Sequence, residues 1–482
     1  MATKTASPVM DFLHHINRKS KARHPSPLKD IIKFMGFDGM ISLAGGLPHP
    51  SLFPVQQAKF DCLAPAAPLP DYNTARVPED DIVALTLGRG KEPGDLDLTQ
   101  FLQYGSGTGN AHLLELCKAL TETVHSPPCA YECLLHPGNT NAWAKVVGML
   151  CEDDDFVLVE EYTYPSAQAL WIPLGIRAAP VVADGEGISA GHLRGLLEGW
   201  DEKSRGARRP RRRKEIYDVC VEFDIILVED DPYYFLQYPH YKLSSQQTQP
   251  TESPLLPTRD FLSTLTPSFL SHDTQGRVIR LESLSKTLFP GLRLGYFIAN
   301  PIFAERLLRA TEVETQDPAG LSQAFVLALL NKWGAFHENF TVVPAKESPI
   351  PKAEGLVVCI KTQNGTLKPV FSFIDPTAGM FIWSKFYFTS VPRFLNLQSD
   401  SRIDDPEQSF ATELWKAWAD ELVLLTPGSY YHPWQGKDKI TTSQRGAEAG
   451  TAHFRFSFAT PTKEQIFSGV ERVRRVVEKY WV

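Results

Sequence analysis

The sequence predicts an α/β protein in two parts, a large domain on a mainly parallel sheet followed by a smaller α+β domain. Three observations carry this. Asp224-Ile225-Ile226-Leu227-Val228-Glu229 holds a continuous apolar run, the mark of a parallel strand covered on both faces. A second run, Phe156 to Val159, follows a helical stretch whose apolar positions include Ala142, Val146, Met149 and Leu150. A length of 482 residues is enough for one large domain and one smaller one, or for two or three of ordinary size.

Composition narrows the class. The chain is 43% hydrophobic and 22% charged, values of a globular protein with a sizeable core. A net charge of −7 argues against general binding of nucleic acid or of anionic membranes. The seven cysteines are odd in number and scattered, which predicts reduced thiols inside the cell. Cys129 and Cys133 lie four apart, but no second cysteine or histidine pair completes a zinc site, and no metal is expected. The N-terminus has no apolar signal core and no stretch reaches membrane-spanning length, which makes a cytoplasmic location the expectation. Asn364-Gly365-Thr366 matches a glycosylation sequon and is read as a turn.

In chain order, residues 1–40 look like an arm with some helical spacing from Met10 to Ile16 and a solvated basic cluster of Arg18, Lys19, Lys21 and Arg23. Ile41 to Pro48 is an extended apolar run ending in a Gly45-Gly46 turn. Residues 63–100 are rich in Pro, Asp and Glu and read as an irregular surface excursion. Gln103 to Gly109 lacks the preceding strand and third glycine of a dinucleotide loop. Pro137-Gly138-Asn139-Thr140 opens a helix, whose free N–H groups suit either a phosphate or a plain Asn or Thr cap. Glu152 to Asp155 is a solvated loop. Asp230-Asp231-Pro232-Tyr233-Tyr234 follows the Asp224–Glu229 strand, where α/β folds bind ligands. From about residue 320 the second domain begins. Within it His453 to Ala459 alternates as a half-buried strand carrying Arg455, which must meet a substrate carboxylate or a structural salt bridge.

The chemistry concentrates in one segment. Val278-Ile279-Arg280-Leu281 alternates as a strand and runs into Ser283-Leu284-Ser285-Lys286, with Arg293 seven residues beyond the lysine and past a Pro-Gly corner. Free lysine has a pKa of about 10.4 and becomes a nucleophile when desolvated or set near other cations. Ser283, Ser285 and Arg293 together offer hydroxyl donors and a bidentate clamp for phosphate. A lysine beside a phosphate clamp points to an aldehyde cofactor held as a Schiff base, pyridoxal phosphate.

The pattern Ser-x-Ser-Lys-x-x-x-Pro-Gly-x-Arg-x-Gly resembles the pyridoxal-phosphate lysine signature of class I aminotransferases. The likeness is greatest to the aromatic amino acid / 2-aminoadipate (kynurenine) aminotransferase branch, especially its fungal members, and covers residues 30 to 475. It implies fold type I, with residues 1–100 as arm and substrate-covering segment, 101–320 as the cofactor-binding domain and 321–482 as the small domain. It implies that Lys286 carries the cofactor and moves the proton, and that Asp230 keeps the pyridine nitrogen protonated. Tyr233 would bond the phenolic oxygen and Tyr164 would stack on the ring. Asn139, Thr140, Ser283, Ser285 and Arg293 would hold the phosphate, joined by Tyr104 from the neighbouring subunit of a homodimer. Gly46 would lie over the substrate, and Arg455 would grip its α-carboxylate. The activity implied moves an amino group from an aromatic amino acid, kynurenine or 2-aminoadipate to 2-oxoglutarate.

Two stretches depart from the family. Ile188 to Trp200 and the stretch with Ile216, Val219, Cys220 and Phe223 read as consecutive helices, separated only by a basic run that includes Arg205, Arg208 and Arg209. A doubly wound sheet needs a strand there. The family's strand ends in Asn-Pro-Thr-Gly, whose asparagine bonds the cofactor's phenolic oxygen, and that tetrapeptide occurs nowhere in the chain. After Trp333-Gly334 the family's long helix also gives way to Pro-containing sequence. A sheet short of one strand is therefore expected. The rival readings are a catalytically impaired homologue, a lyase on the same cofactor, and a cofactor-binding regulator, for which 40 arm residues leave too little room.

Overall fold

The structure, a computed structural model, describes residues 9–25, 46–65, 67, 77–90, 96–184, 187–200, 212–238, 258–333, 356–361, 367–435 and 439–482. The sequon at Asn364, the basic run up to Arg211, the turn residue Gly45 and the segment after Trp333 lie outside the described residues.

The main sheet has the order β3-β8-β7-β6, formed by β3 (Glu132–His136), β8 (Gly295–Ala299), β7 (Val278–Ser283) and β6 (Leu227–Asp230). β8 runs antiparallel to both of its neighbours, and β6 runs parallel to β7. Hence β3, β6 and β7 all end at one edge. Every residue of β7 and β8 is buried, which is why their apolar runs are unbroken except for charges that find partners. Helix α2 (Asn139–Leu150) covers one face with Ala142, Val146 and Met149, beside α6 (Pro301–Glu314) with Phe303 and Leu307. On the other face lie α1 (Ala111–Val124), α4 (Ala190–Trp200) and α5 (Arg212–Glu222), through Leu113, Leu193, Ile216, Val219 and Cys220.

The strands β4 (Phe156–Glu160) and β5 (Arg177–Val181) pair in parallel but form a separate two-stranded sheet. The Asp224–Glu229 strand was expected at the centre of a parallel sheet; it is the edge strand β6. Among the described residues no strand joins β6 to β4, and α4 and α5 pack directly on each other across the place where one would cross over.

The second sheet, β9-β10-β11-β13-β12, is antiparallel and comprises β9 (Leu356–Lys361), β10 (Leu367–Phe373), β11 (Phe381–Tyr387), β13 (Thr451–Ser457) and β12 (Thr426–Pro427). Its core is aromatic. Phe386, Phe388, Phe410, Trp418, Phe454 and Trp481 are all fully buried, drawn from the sheet and from α8 (Pro406–Asp420) and α9 (Lys463–Trp481).

Three expectations need correction. Residues 63–100 are not wholly irregular: β2 (Ile82–Gly88) pairs antiparallel with β1 (Gln57–Leu63). Its alternation, with Leu85 and Leu87 buried and Ala84 and Thr86 exposed, is too short to stand out in a polar stretch. Helix α7 (Gly320–Trp333) gives Ala324, Leu327 and Leu330 to the first core, so a boundary at 321 cuts a helix of the large domain. Met10 to Ile16 holds only a three-residue 3-10 turn, Leu13–His15, pinned by buried Phe12 and Ile16.

Candidate active site

The common edge of β3, β6 and β7 faces the small domain. At that edge Asn139, first residue of α2, donates from Nδ2 to Asp230 Oδ1 at 2.6 Å and to Leu281 O at 3.1 Å. Its Oδ1 is buried without a hydrogen-bond partner. Asp230 opens to the cleft but is crowded by protein. Burial raises its pKa, the Asn139 bond pulls it back, and neighbouring Asp231 raises it again.

Gly138 caps α2 at φ +93°, a conformation glycine takes without strain, and it has no side chain to satisfy the first N–H groups of the helix. A Cβ at this position would collide with the Arg293 guanidinium. Arg293, itself left-handed at φ +49°, donates from Nη2 to Pro137 O at 3.3 Å. Ser283 is buried at the end of β7, and its Oγ accepts from the Ser285 N–H at 3.1 Å. The helix N-terminus, the Ser283–Ser285 turn and Arg293 therefore converge, a donor-rich cradle for a doubly charged anion. Thr140 is exposed beside it.

Lys286 is exposed just beyond β7, with Nζ 5.8 Å from the centre of the Tyr233 ring. Tyr233 is half buried and stands edge-on to Phe381 at 5.9 Å. Burial raises its hydroxyl pKa, and Arg455 moderates the rise. Arg455 on β13 lies 3.9 Å from the Phe381 ring centre and 4.9 Å from that of Tyr431. Its Nε is buried without a hydrogen-bond partner, and among the described residues no carboxylate pairs with it. Tyr164, at the N-terminus of α3 (Pro165–Trp171), is exposed and electrostatically coupled to Tyr233 and Tyr431. Tyr104 and Gly46 face solvent, Tyr104 at 61% exposure, and neither is drawn into the cluster.

Several contributors were not read from the sequence. The Asn139 amide turns to Asp230, whereas the residue was expected to serve a phosphate. Phe381 and Tyr431 flank Arg455; they come from different elements of the small domain, so no local motif joins them. Beneath Asp230, fully buried Arg280 bridges Glu229 at 2.8 Å and Glu282 at 2.6 Å, and His125 bonds Glu282 at 3.1 Å and Ser268 at 2.9 Å. Beside Arg455 opens a cavity of about 870 Å³, lined by Tyr162, Trp383, Tyr431, His432, Arg445 and His453 among others. Burial lowers the pKa of His432 and of His453 to about 3, so both are neutral. Arg445 reaches Glu161 only at 3.8 Å, and its Nε and Nη1 make no hydrogen bond.

No protein-family model matches the chain. An aromatic amino acid aminotransferase of Schizosaccharomyces pombe is 32% identical over 97% of this chain and 98% of its own length. An L-tyrosine:2-oxoglutarate aminotransferase of Tapinella panuoides is 33% identical over 82% of this chain and 78% of its own. The crystal structure of an aminotransferase from Candida albicans superposes with a TM-score of 0.80, at 27% identity, covering 98% of this chain and 99% of that one.

Proposed function

The chain belongs to the aromatic amino acid aminotransferase family, and from that membership we propose that it moves the amino group of an aromatic amino acid to 2-oxoglutarate with pyridoxal phosphate as cofactor. The observation that carries the substrate reading is Arg455, unpaired between two aromatic rings and opening on an aromatic-lined cavity whose two histidines are neutral. A planar amino-acid side chain fits such walls, as the α-carboxylate fits the guanidinium. Kynurenine meets the same description. The far carboxylate of 2-oxoglutarate or of 2-aminoadipate is assigned to Arg445, whose buried donors line the same cavity.

The residues fit the cofactor. The Gly138 cradle, the first N–H groups of α2, Thr140, Ser283, Ser285 and Arg293 would hold its phosphate, and Asp230 would hold its ring nitrogen. When bound, it supplies an electron sink for the bonds at the substrate's Cα. Lys286 would anchor it and, once freed, would hold and move the Cα proton as general acid and base. Asp230 would keep a positive charge on the ring nitrogen, Asn139 fixes the orientation of that carboxylate, and Tyr233, whose ring centre lies 5.8 Å from Lys286 Nζ, would offer its hydroxyl to the phenolic oxygen. Tyr164 would cover the ring face. Exposed Tyr104 fits a homodimer in which it reaches the neighbouring subunit's phosphate site, with exposed Gly46 near the substrate. Among the described residues no helix is long and apolar enough to cross a membrane, and a cytoplasmic enzyme is our reading.

The gap between β6 and β4, with the absent Asn-Pro-Thr-Gly, favours a second reading: a homologue short of one strand and impaired in activity. The deciding experiment follows the absorbance of cofactor-loaded protein on adding L-tyrosine, then 2-oxoglutarate. A visible band that bleaches and then returns supports transamination. A band that forms but stays unchanged on adding L-tyrosine supports the impaired homologue, and a message encoding the missing tetrapeptide would trace the gap to the reading frame.

A further inference from the structure

Far from the cleft, the N-terminal segment meets the beginning of β6, and two imidazoles close there on one carboxylate. His14 Nε2 lies 2.7 Å from Asp224 Oδ2, and His15 Nε2 lies 3.2 Å from the same oxygen. The segment that carries both histidines is anchored on either side of them. Phe12 is stacked on Phe303 at 5.7 Å, Ile16 is buried, and the Asn17 amide donates to Gly148 O and Cys151 O. Asp224 is anchored as well. It takes φ +51° in the turn ahead of β6, and Arg277 Nη2 lies 3.5 Å from its other oxygen, Oδ1. Arg277 is held in turn by Cys220 O, Ile225 O and Gln275 Oε1.

A hydrogen bond accounts for His14 but not for His15. The His15 Nε2 is shut away from solvent and makes no hydrogen bond, although it points into the same small space. Three donor atoms thus converge on one small space, with both imidazoles turned to a single carboxylate oxygen, an arrangement that coordination can use. Zinc bonds of about 2.0–2.2 Å, arranged tetrahedrally, set ligand atoms about 3.3–3.6 Å apart. The two nitrogens and the oxygen here all lie within 4.8 Å of one another; the 2.7 and 3.2 Å contacts to Asp224 Oδ2 are shorter than the zinc spacing, so the exposed His14 and Asp224 side chains would open slightly to admit an ion, with a fourth position left to water. Among the described residues this is the one group of three His, Cys, Asp or Glu side chains that meets that limit. Arg277 would orient the carboxylate from behind, as partners of metal ligands do. Its charge weakens any purely ionic attraction, and two imidazoles disfavour calcium or magnesium, which take oxygen ligands.

We propose that His14, His15 and Asp224 form a surface site for a divalent transition-metal ion of the zinc class. The ion would clasp the N-terminal segment to the turn that feeds β6, the strand ending in Asp230.

The test is a zinc titration of cofactor-loaded enzyme against a chromophoric chelator, for wild type, the His14→Ala/His15→Ala double variant and Asp224→Asn. Wild type is expected to take up one more zinc per chain than the double variant, with Asp224→Asn weakening that binding about tenfold. Equal uptake by wild type and double variant overturns the proposal, because the ion would then sit elsewhere, for instance on the free cysteines. The cobalt-loaded protein gives an independent readout that needs no variant. Visible bands without thiolate charge transfer support the site, and a thiolate band as the only signal sinks it.

Discussion

Asn139 Nδ2 stands 2.6 Å from Asp230 Oδ1 and ties the first turn of α2 to the end of β6. The bond holds down a carboxyl that burial and Asp231 push up. In Asn139→Ala that restraint is gone, so Asp230 protonates at higher pH. The acid limb of kcat/KM against pH should move upward, with kcat reduced about tenfold. An unmoved limb would mean that Asn139 serves Asp230 in no way that matters to turnover.

Asp230 itself should show function opposed to stability. Its folded pKa is raised, so the folded state holds the proton more tightly than the unfolded chain does. Wild type therefore loses stability as pH rises from about 3.9, the unfolded value, through the folded one. The loss grows until the folded carboxyl is ionised, less what cleft water screens. Asp230→Asn without cofactor should melt about 1–2 °C higher at pH 7 and match wild type below pH 4, while activity falls about 10²- to 10⁴-fold. Melting curves across pH decide; a variant less stable at pH 7 contradicts the account.

Arg455 and Arg445 should separate in kinetics. Replacing Arg455 by Lys keeps the charge but loses the planar fork between Phe381 and Tyr431, and KM should rise about 10- to 100-fold for amino donor and 2-oxo acid alike. Arg445→Met should raise KM for 2-oxoglutarate about tenfold and leave KM for L-tyrosine unchanged, since only the former carries a second carboxylate. Parallel rises for both substrates in Arg445→Met would remove it from acceptor recognition.

The Lys286 turn was legible from local sequence because its groups sit within eleven residues of one strand end, Ser283 to Arg293. The second sheet was legible in outline because Phe454 and its neighbours alternate. What sequence reading could not reach depends on distance along the chain. Phe381 and Tyr431 meet over Arg455 from 74 and 24 residues away, and Asn139 meets Asp230 from 91. The edge position of β6 was equally hidden in its own residues: an apolar run describes burial on both faces, not whether a neighbour pairs along each side. The gap was signalled by the two helices with no strand between them and by the absent Asn-Pro-Thr-Gly.

The last prediction concerns the charges under the site. Arg280 is fully buried between Glu229 and Glu282, and its guanidinium lies 4.5 Å from the Tyr234 ring centre. Two carboxylates in that space are tolerable only while a cation divides them. Arg280→Met keeps much of the volume but leaves Glu282 with only His125, a poor replacement cation because burial lowers its pKa, and leaves Glu229 with only the partly exposed Arg213 at 3.2 Å. The variant should lose about 3–5 kcal/mol of stability. Adding Glu229→Gln and Glu282→Gln to Arg280→Met removes the stranded charges and should recover more than half of the loss. Denaturant unfolding of the three proteins measures this. If the triple variant is no more stable than Arg280→Met, the deficit comes from packing around Tyr234, and the buried charges are not what Arg280 is there to balance.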